Sequence, residues 1–348
     1  IEYKISKFYP NIKIDPPEKI PLTRPVTKVD PLPDPVLEID PYWLESTSVE
    51  DPWFARYWAY SPFKNATLKV KNFYLNMILE KEYEFSSERY DKLLIGINVG
   101  GGEFQRRSLI RTHQIDKYKE YNITWRFFIG RVSGDIKESV KTENDTYGDI
   151  VVLDHVPDLV DESRTIKLFE FFRYVEAYYP VYKYVAKMDT DCFLNIPVLL
   201  KDFFTKEAQD LELGIMALFV TGLGRLEWAQ GGFEAYSYKL MILINRIYER
   251  IHRTVYEEDF QIGWYLNDAE VNFTKVSLTP SRAYDFMYGN REIFKYNDRD
   301  IHNDTVRIHE LKKEEDYIMV SACFNEYGVN YEQVLRMRAK NWTLNYSA

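Results

Sequence analysis

Two cysteines, Cys192 and Cys323, are all that the 348 residues contain, so a disulfide framework is not what stabilises this fold. Long apolar runs are missing as well: no stretch reaches the roughly 20 residues that a membrane span needs. There is no basic stripe, and the net charge is −9. That balance excludes the phosphate neutralisation on which nucleic-acid binding depends, and even the pair Lys312 and Lys313 is followed at once by Glu314, Glu315 and Asp316. No signal peptide opens the sequence. Ile1 reads as an internal start, with the expectation that a membrane anchor has been removed ahead of it. Proline is scarce after residue 62, because eleven of the fifteen lie in residues 1–62. Internal repeats are absent.

What is present is a globular composition, 45% apolar and 28% charged. Aromatic residues reach 16%, with 28 Tyr, 21 Phe and 7 Trp, an abundance that suits sugar-facing surfaces and an aromatic core equally. Seven Asn-x-Ser/Thr sequons, at Asn65, Asn122, Asn144, Asn272, Asn303, Asn341 and Asn345, point to the lumen of the secretory pathway. Proline fixes φ and removes backbone donors, so residues 1–62 can be neither a helix nor a central strand. They read as a stem. Its Trp43, Trp53, Phe54, Tyr57 and Trp58 predict that the second half docks on a main domain formed by residues 63–348.

That unit begins with a predicted helix over 66–85 and then alternates. Leu93 to Val99 is a continuous apolar run closed by Gly100, Gly101 and Gly102, as a buried strand feeding a loop would be. Further strands are predicted over 125–129, 149–153 and 182–188, with helices over 107–118 and 163–178 between them. Strand, helix, strand at this spacing implies an α/β fold with a doubly wound, parallel sheet, whose ligand crevice lies at the carboxyl ends of its strands.

Asp189-Thr-Asp191 sits at such an end. Two carboxylates at i and i+2 can share a hard cation with a diphosphate, since Mg²⁺ and Mn²⁺ take a few carboxylate oxygens and let substrate complete the shell. A solvated turn is the bland alternative. Gly231 and Gly232 are either a simple turn or a place where backbone approaches a sugar closely. Glu257, Glu258 and Asp259 fit an acidic helix start or a carboxylate that takes a proton from an attacking hydroxyl. Lys167, Arg107 and Arg111 are candidate contacts to a nucleoside diphosphate, and each could equally pair with surface carboxylates.

The segments Tyr147-Gly-Asp-Ile150, Thr165-Ile-Lys167 and Tyr184-Val-Ala-Lys-Met-Asp-Thr-Asp-Cys-Phe-Leu-Asn195 resemble the core of the β-1,3-galactosyltransferase and N-acetylglucosaminyltransferase family, which includes the Fringe enzymes. Arg106-Arg-Ser-Leu-Ile-Arg-Thr-His113 is similar to its arginine-rich segment, Gln230-Gly-Gly-Phe-Glu-Ala-Tyr-Ser237 to its glycine-rich loop before a helix, and Glu257 to Gly263 to its closing acidic motif. Thr190 stands where the family has a middle aspartate, His113 departs from its usual tryptophan, and the family's cysteines are mostly missing.

The resemblance implies a nucleotide-sugar transferase fold of type A with a mixed sheet. It implies a divalent ion, Mn²⁺ or alternatively Mg²⁺, held by Asp191, Asp189 and His309, with His302 as the fallback. Asp259, ahead of Glu258, would be the base, and a UDP-sugar and a glycan acceptor would be the partners. Galactose, as pyranose or furanose, is the expected hexose. N-acetylglucosaminyl transfer, a non-catalytic glycan-binding homologue and a nucleotide-sugar hydrolase are the alternatives. A Golgi-lumenal, type II membrane protein is the implied setting.

Overall fold

The computed structural model describes residues 64–82, 93–121, 123–158, 160–179, 181–203, 211–221, 227–251, 258–286 and 301–339. The proline-rich segment and its tryptophans, Glu257, and the sequons at Asn122, Asn341 and Asn345 lie outside them. So the expected docking of the stem belongs to residues not described. Among the described residues no helix is long and apolar enough to cross a membrane.

A seven-stranded sheet organises the chain: β1 (Leu93–Asn98), β2 (Thr124–Arg131), β3 (Ile150–Pro157), β4 (Tyr184–Asp189), β6 (Gly214–Thr221), β7 (Glu227–Ser237) and β8 (Thr274–Ser277), in the order β3-β2-β1-β4-β7-β6-β8. The first four run parallel. β7 is antiparallel to both β4 and β6, and β8 returns parallel to β6. The spacing of strands and helices accounts for the parallel half, and the reversed β7 makes the sheet mixed. Residues 93–97 are buried on both sides, and their alternation divides them between two cores. Leu93, Ile95 and Ile97 join Leu109, Val140, Leu199 and Val320 on one face. Leu94 joins Val70, Phe169, Ile244 and Tyr265 on the other. A period of two applied to an all-apolar strand is what places helices on both faces of a sheet.

On the second face lie α1 (Lys64–Glu80), α4 (Val160–Tyr178), α6 (Tyr238–Ile251) and α7 (Glu258–Asp268); on the first lie α2 (Phe104–Ile110), α3 (Gly134–Tyr147), α5 (Ile196–Phe203) and α8 (Glu314–Ala322). The last helix is α9 (Tyr331–Ala339). The helix predicted over 107–118 starts earlier and ends sooner. After α2 the chain widens into a π-helical turn, Arg111–Ile115, and then tightens into a 3-10 turn, Asp116–Tyr121. The wide turn lets both Arg111 and Gln114 face inward. Fully buried, Gln114 accepts from Leu194 N (3.2 Å) and from the Tyr317 hydroxyl (2.9 Å), so it braces the segment just past the end of β4.

A smaller sheet completes that region. β5 (Phe193–Leu194) pairs antiparallel with β10 (Arg307–His309), which pairs in parallel with β9 (Ala283–Asp285). A separate β11–β12 hairpin (Phe324–Asn325 and Gly328–Val329) lies near the end of the described chain.

Candidate active site and metal centre

Asp189 is the last residue of β4. The strand ends there because the chain turns at once, with Cys192 N donating to Asp189 O (3.2 Å). Asp191 sits in that turn, and its carbonyl accepts from Leu311 N (2.9 Å), which ties the turn to the residues after β10. Arg106 adds a second tie, donating to Thr190 O (3.0 Å) and to Leu311 O (2.6 Å). The result is that His309 Nε2 stands 3.2 Å from Asp191 Oδ1 and 3.5 Å from Asp189 Oδ2.

One oxygen from each aspartate and one imidazole nitrogen lie within 4.8 Å of one another. The other ring nitrogen, Nδ1, is 2.9 Å from Asp285 Oδ1, an orienting carboxylate of the kind that fixes the ring of a metal-binding histidine. Burial alone would lower the His309 pKa, but hydrogen bonds to Asp189, Asp191 and Asp285 outweigh it and raise it to about 11. The cluster therefore attracts positive charge to that spot. Two carboxylates and an imidazole are a donor set that suits Mn²⁺ and also accepts Mg²⁺.

The glycine pair is inside strand β7, not in a loop before a helix as the resemblance implied. Register fixes its place: Met188 pairs with Phe233 and Lys187 with Glu234, so Gly231 and Gly232 run just past the end of β4. Gly232 N donates to Asp189 Oδ2 and Gly231 N to Asp259 Oδ2, each at 2.9 Å. Gly232 has φ +94°, and a Cβ there would lie 2.9 Å from His309 Cγ, so only glycine fits both the backbone and the neighbour. Fully buried Arg307 holds the pair from below, donating to Gly231 O (2.7 Å) and to Gln230 Oε1 (3.2 Å).

Asp259 opens α7. Its Oδ1 accepts from Phe260 N (2.6 Å), and burial pushes its carboxyl up to about 6, with Lys187 opposing and Glu258 assisting the rise. Lys187, 1% exposed, lies 2.9 Å from Asp189 Oδ1, 2.8 Å from Glu258 Oε1 and 4.0 Å from Glu234 Oε1. Burial works against its charge, but these carboxylates raise its pKa well above the ordinary lysine value. Burial also pushes Glu234 up to about 8, where it accepts the Tyr236 hydroxyl.

Asp189, Asp191, His309, Gly231, Gly232 and Asp259 thus converge. Three expected donor contacts do not. Arg107 is 1% exposed and bonds Glu143 (2.6 Å) and the carbonyls of Gly100 and Gly101. Arg111 bonds Glu143 (2.7 Å) and Asp149 (2.8 Å) and stacks on Tyr147. Both are committed to carboxylates inside the fold and cannot reach a ligand without breaking those pairs. Lys167, also buried, donates to Val99 O and to Asp158 Oδ1 (both 3.3 Å) at the ends of β1 and β3. Sequence reasoning passed over Lys187, Glu234, Asp285 and Arg307. For Lys187 a signal existed, since a lysine inside an apolar strand, two residues before Asp189, shares that residue's face.

Residues 105–220 match the galactosyltransferase family. The matched galactosyltransferase segment spans α2 to β6 and contains Asp189 and Asp191; Gly231, Asp259 and His309 come to them through the fold. The match supports a glycosyltransferase.

Several glycosyltransferases of solved structure are similar to this chain. The bifunctional glycosyltransferase WbbM is 11% identical at a TM-score of 0.42, over 74% of this chain and 54% of that one, so this chain spans about half its length. The galactosyltransferase LgtC, solved with donor and acceptor sugar analogues, is 12% identical at 0.41, over 71% and 99%. A glycosyltransferase involved in glycosylating the major capsid of PBCV-1 is 5% identical at 0.42, over 66% and 98%. No curated protein matches the chain.

Proposed function

We propose that this chain moves a hexose from a UDP-sugar to a hydroxyl of a glycan acceptor in one displacement with inversion. The observation that carries this reading is the cluster of Asp189, Asp191 and His309 facing Asp259 across the two glycine amides. Asp189, Asp191 and His309 would hold Mn²⁺, or Mg²⁺ in its place. Such an ion supplies Lewis-acid stabilisation for negative charge on a departing diphosphate.

The chain's own groups do the rest. Gly232 N and Lys187 hold Asp189 so that its carboxylate stays ionised, the cations outweighing the effect of burial. Gly231 N and Phe260 N fix both oxygens of Asp259. With its carboxyl near 6, Asp259 is mostly ionised at neutral pH and basic enough to take the proton of an acceptor hydroxyl. The glycines leave open the space that side chains would fill between the two carboxylates. Galactose, in pyranose or furanose form, is the proposed sugar, with N-acetylglucosamine the second choice. A lumenal catalytic part of a Golgi type II membrane protein is the proposed setting, supported by the four described sequons and the family match.

A panel of UDP-sugars with Mn²⁺, scored for transfer and for hydrolysis, tests the donor. Calorimetry of UDP binding with and without EDTA tests the metal. Equal affinity in both conditions would overturn it.

A further inference from the structure

We infer that Lys187 is a positioning residue that seats the Glu258–Asp259 pair against the metal-bearing end of β4, one buried ammonium holding Asp189 on one side and Glu258 on the other. The inference rests on the proposed function, in which Asp189 serves the metal and Asp259 accepts the proton.

The geometry is specific. Lys187 uses Oδ1 of Asp189 (2.9 Å), while Oδ2 of the same carboxylate takes Gly232 N (2.9 Å) and faces His309 (3.5 Å). Each Asp189 oxygen therefore has its own duty. Across the ammonium, Glu258 Oε1 (2.8 Å) is the next residue to Asp259 on the first turn of α7. Among the described residues, the charged groups near Asp259 include Lys187 and Asp189 from β4, Glu234 from β7 and Glu258 from its own helix. The start of α7 also meets the sheet edge through Gly231 N, an amide on Asp259 Oδ2, and through Phe260, whose ring packs edge-on against Trp228 of β7. A cation present only to neutralise acidic neighbours would not need to touch the metal carboxylate and the base-bearing turn at once. A buried ammonium with carboxylates at 2.8 and 2.9 Å on different elements fixes the distance between those elements.

Lys187→Met, Glu258→Gln and the double variant test this. Lys187→Met is expected to lower kcat by about a hundredfold, the cost of a base misplaced by about an ångström, and to weaken UDP binding in Mn²⁺ as well, because it frees Asp189. Glu258→Gln leaves the Asp189 contact in place and is expected to keep UDP affinity within about threefold. The acid limb of the kcat profile should move upward, because the ammonium lowers the Asp259 carboxyl. If Lys187 acts through Glu258, the two substitutions will not add, and the double variant will lose no more than the worse single one.

Additive losses, or a Lys187→Met protein with wild-type kcat and an unmoved acid limb, would overturn the inference. Should Lys187→Met alone fail to fold, the double variant, which loses one cation and one carboxylate together, is compared with Glu258→Gln. Equal kcat supports the inference, and a further large loss overturns it. A wild-type protein without sugar transfer would overturn the proposed function instead. The inference would then be decided by carboxyl NMR of Asp259, which needs no turnover: its midpoint rises in Lys187→Met if Lys187 seats it and stays put if not.

Discussion

Two buried charge clusters lie in the fold, and they are built on opposite plans. Around Glu143, two arginines meet two carboxylates, Arg107 and Arg111 against Glu143 and Asp149, with bidentate bonds at 2.6–2.8 Å. Charge there is balanced, and Glu143 is held below its ordinary value by the arginines even though burial pushes it up. Around Asp189, the carboxyl groups of Asp191, Asp285, Glu258 and Asp259 have, among the described residues, Lys187 and Arg307 as permanent cations, and His309 is drawn toward the charged form. The first cluster is satisfied by its own members. The second has negative charge left over, close to glycines that leave space, and that surplus calls for a cation from outside. A balanced network stabilises and an unbalanced one binds.

The largest effect that could break this contrast comes from Asp259→Asn, expected to lower turnover by about a thousandfold while UDP binding in Mn²⁺ stays nearly intact. Asp191→Ala should do the reverse in order of events, abolishing metal-dependent UDP binding by calorimetry. If Asp259→Asn keeps more than about a tenth of wild-type turnover with saturating donor, Asp259 is not the base.

Next comes Arg107→Met. It leaves Glu143 with one arginine and should cost about 3–5 kcal/mol in denaturant unfolding; an unchanged midpoint would erase the distinction between the clusters. Gly232→Ala should weaken Mn²⁺ binding by about tenfold to a hundredfold through displacement of His309, and it should lower thermal stability as well, because alanine is strained at φ +94°.

The smallest effect is Glu234→Gln. Its carboxyl, ordinarily near 4.5, is pushed up to about 8 by burial, so stability present with the protonated form is lost as pH rises from 4.5 through 8. Glutamine does not titrate. The variant should gain on wild type across that window by a few degrees of melting temperature at most, and a pH-independent difference would contradict the burial of that charge.

The parallel half of the sheet was legible because its strands are continuous apolar runs, as at Leu93 to Ile97, that end in glycine or aspartate. β7 was not, since Gln230-Gly-Gly reads as a turn and only pairing with β4 makes it a strand. Asp189 and Asp191 stand out locally as two carboxylates after an apolar strand, whereas His309 came forward only through the family resemblance, with His302 as its rival. Asp285 and Arg307 have no local signature; their meaning comes from the parallel pairing of β9 with β10, which joins segments 22 residues apart. The partners of Arg107 and Arg111 were not legible, because sequence shows a cation's charge but not its partner.

The π-helical turn at Arg111–Ile115 sets a rotational phase. An α-helix turns about 100° per residue, and the wider turn absorbs one residue more than regular winding would. Removing a single residue there would restore regular winding and swing Gln114 away from Leu194 N and the Tyr317 hydroxyl. The strut behind the aspartate turn would go slack without any residue of the site being altered. Chain length in this short stretch is thus as much a determinant of where Asp191 stands as the identity of the residues beside it.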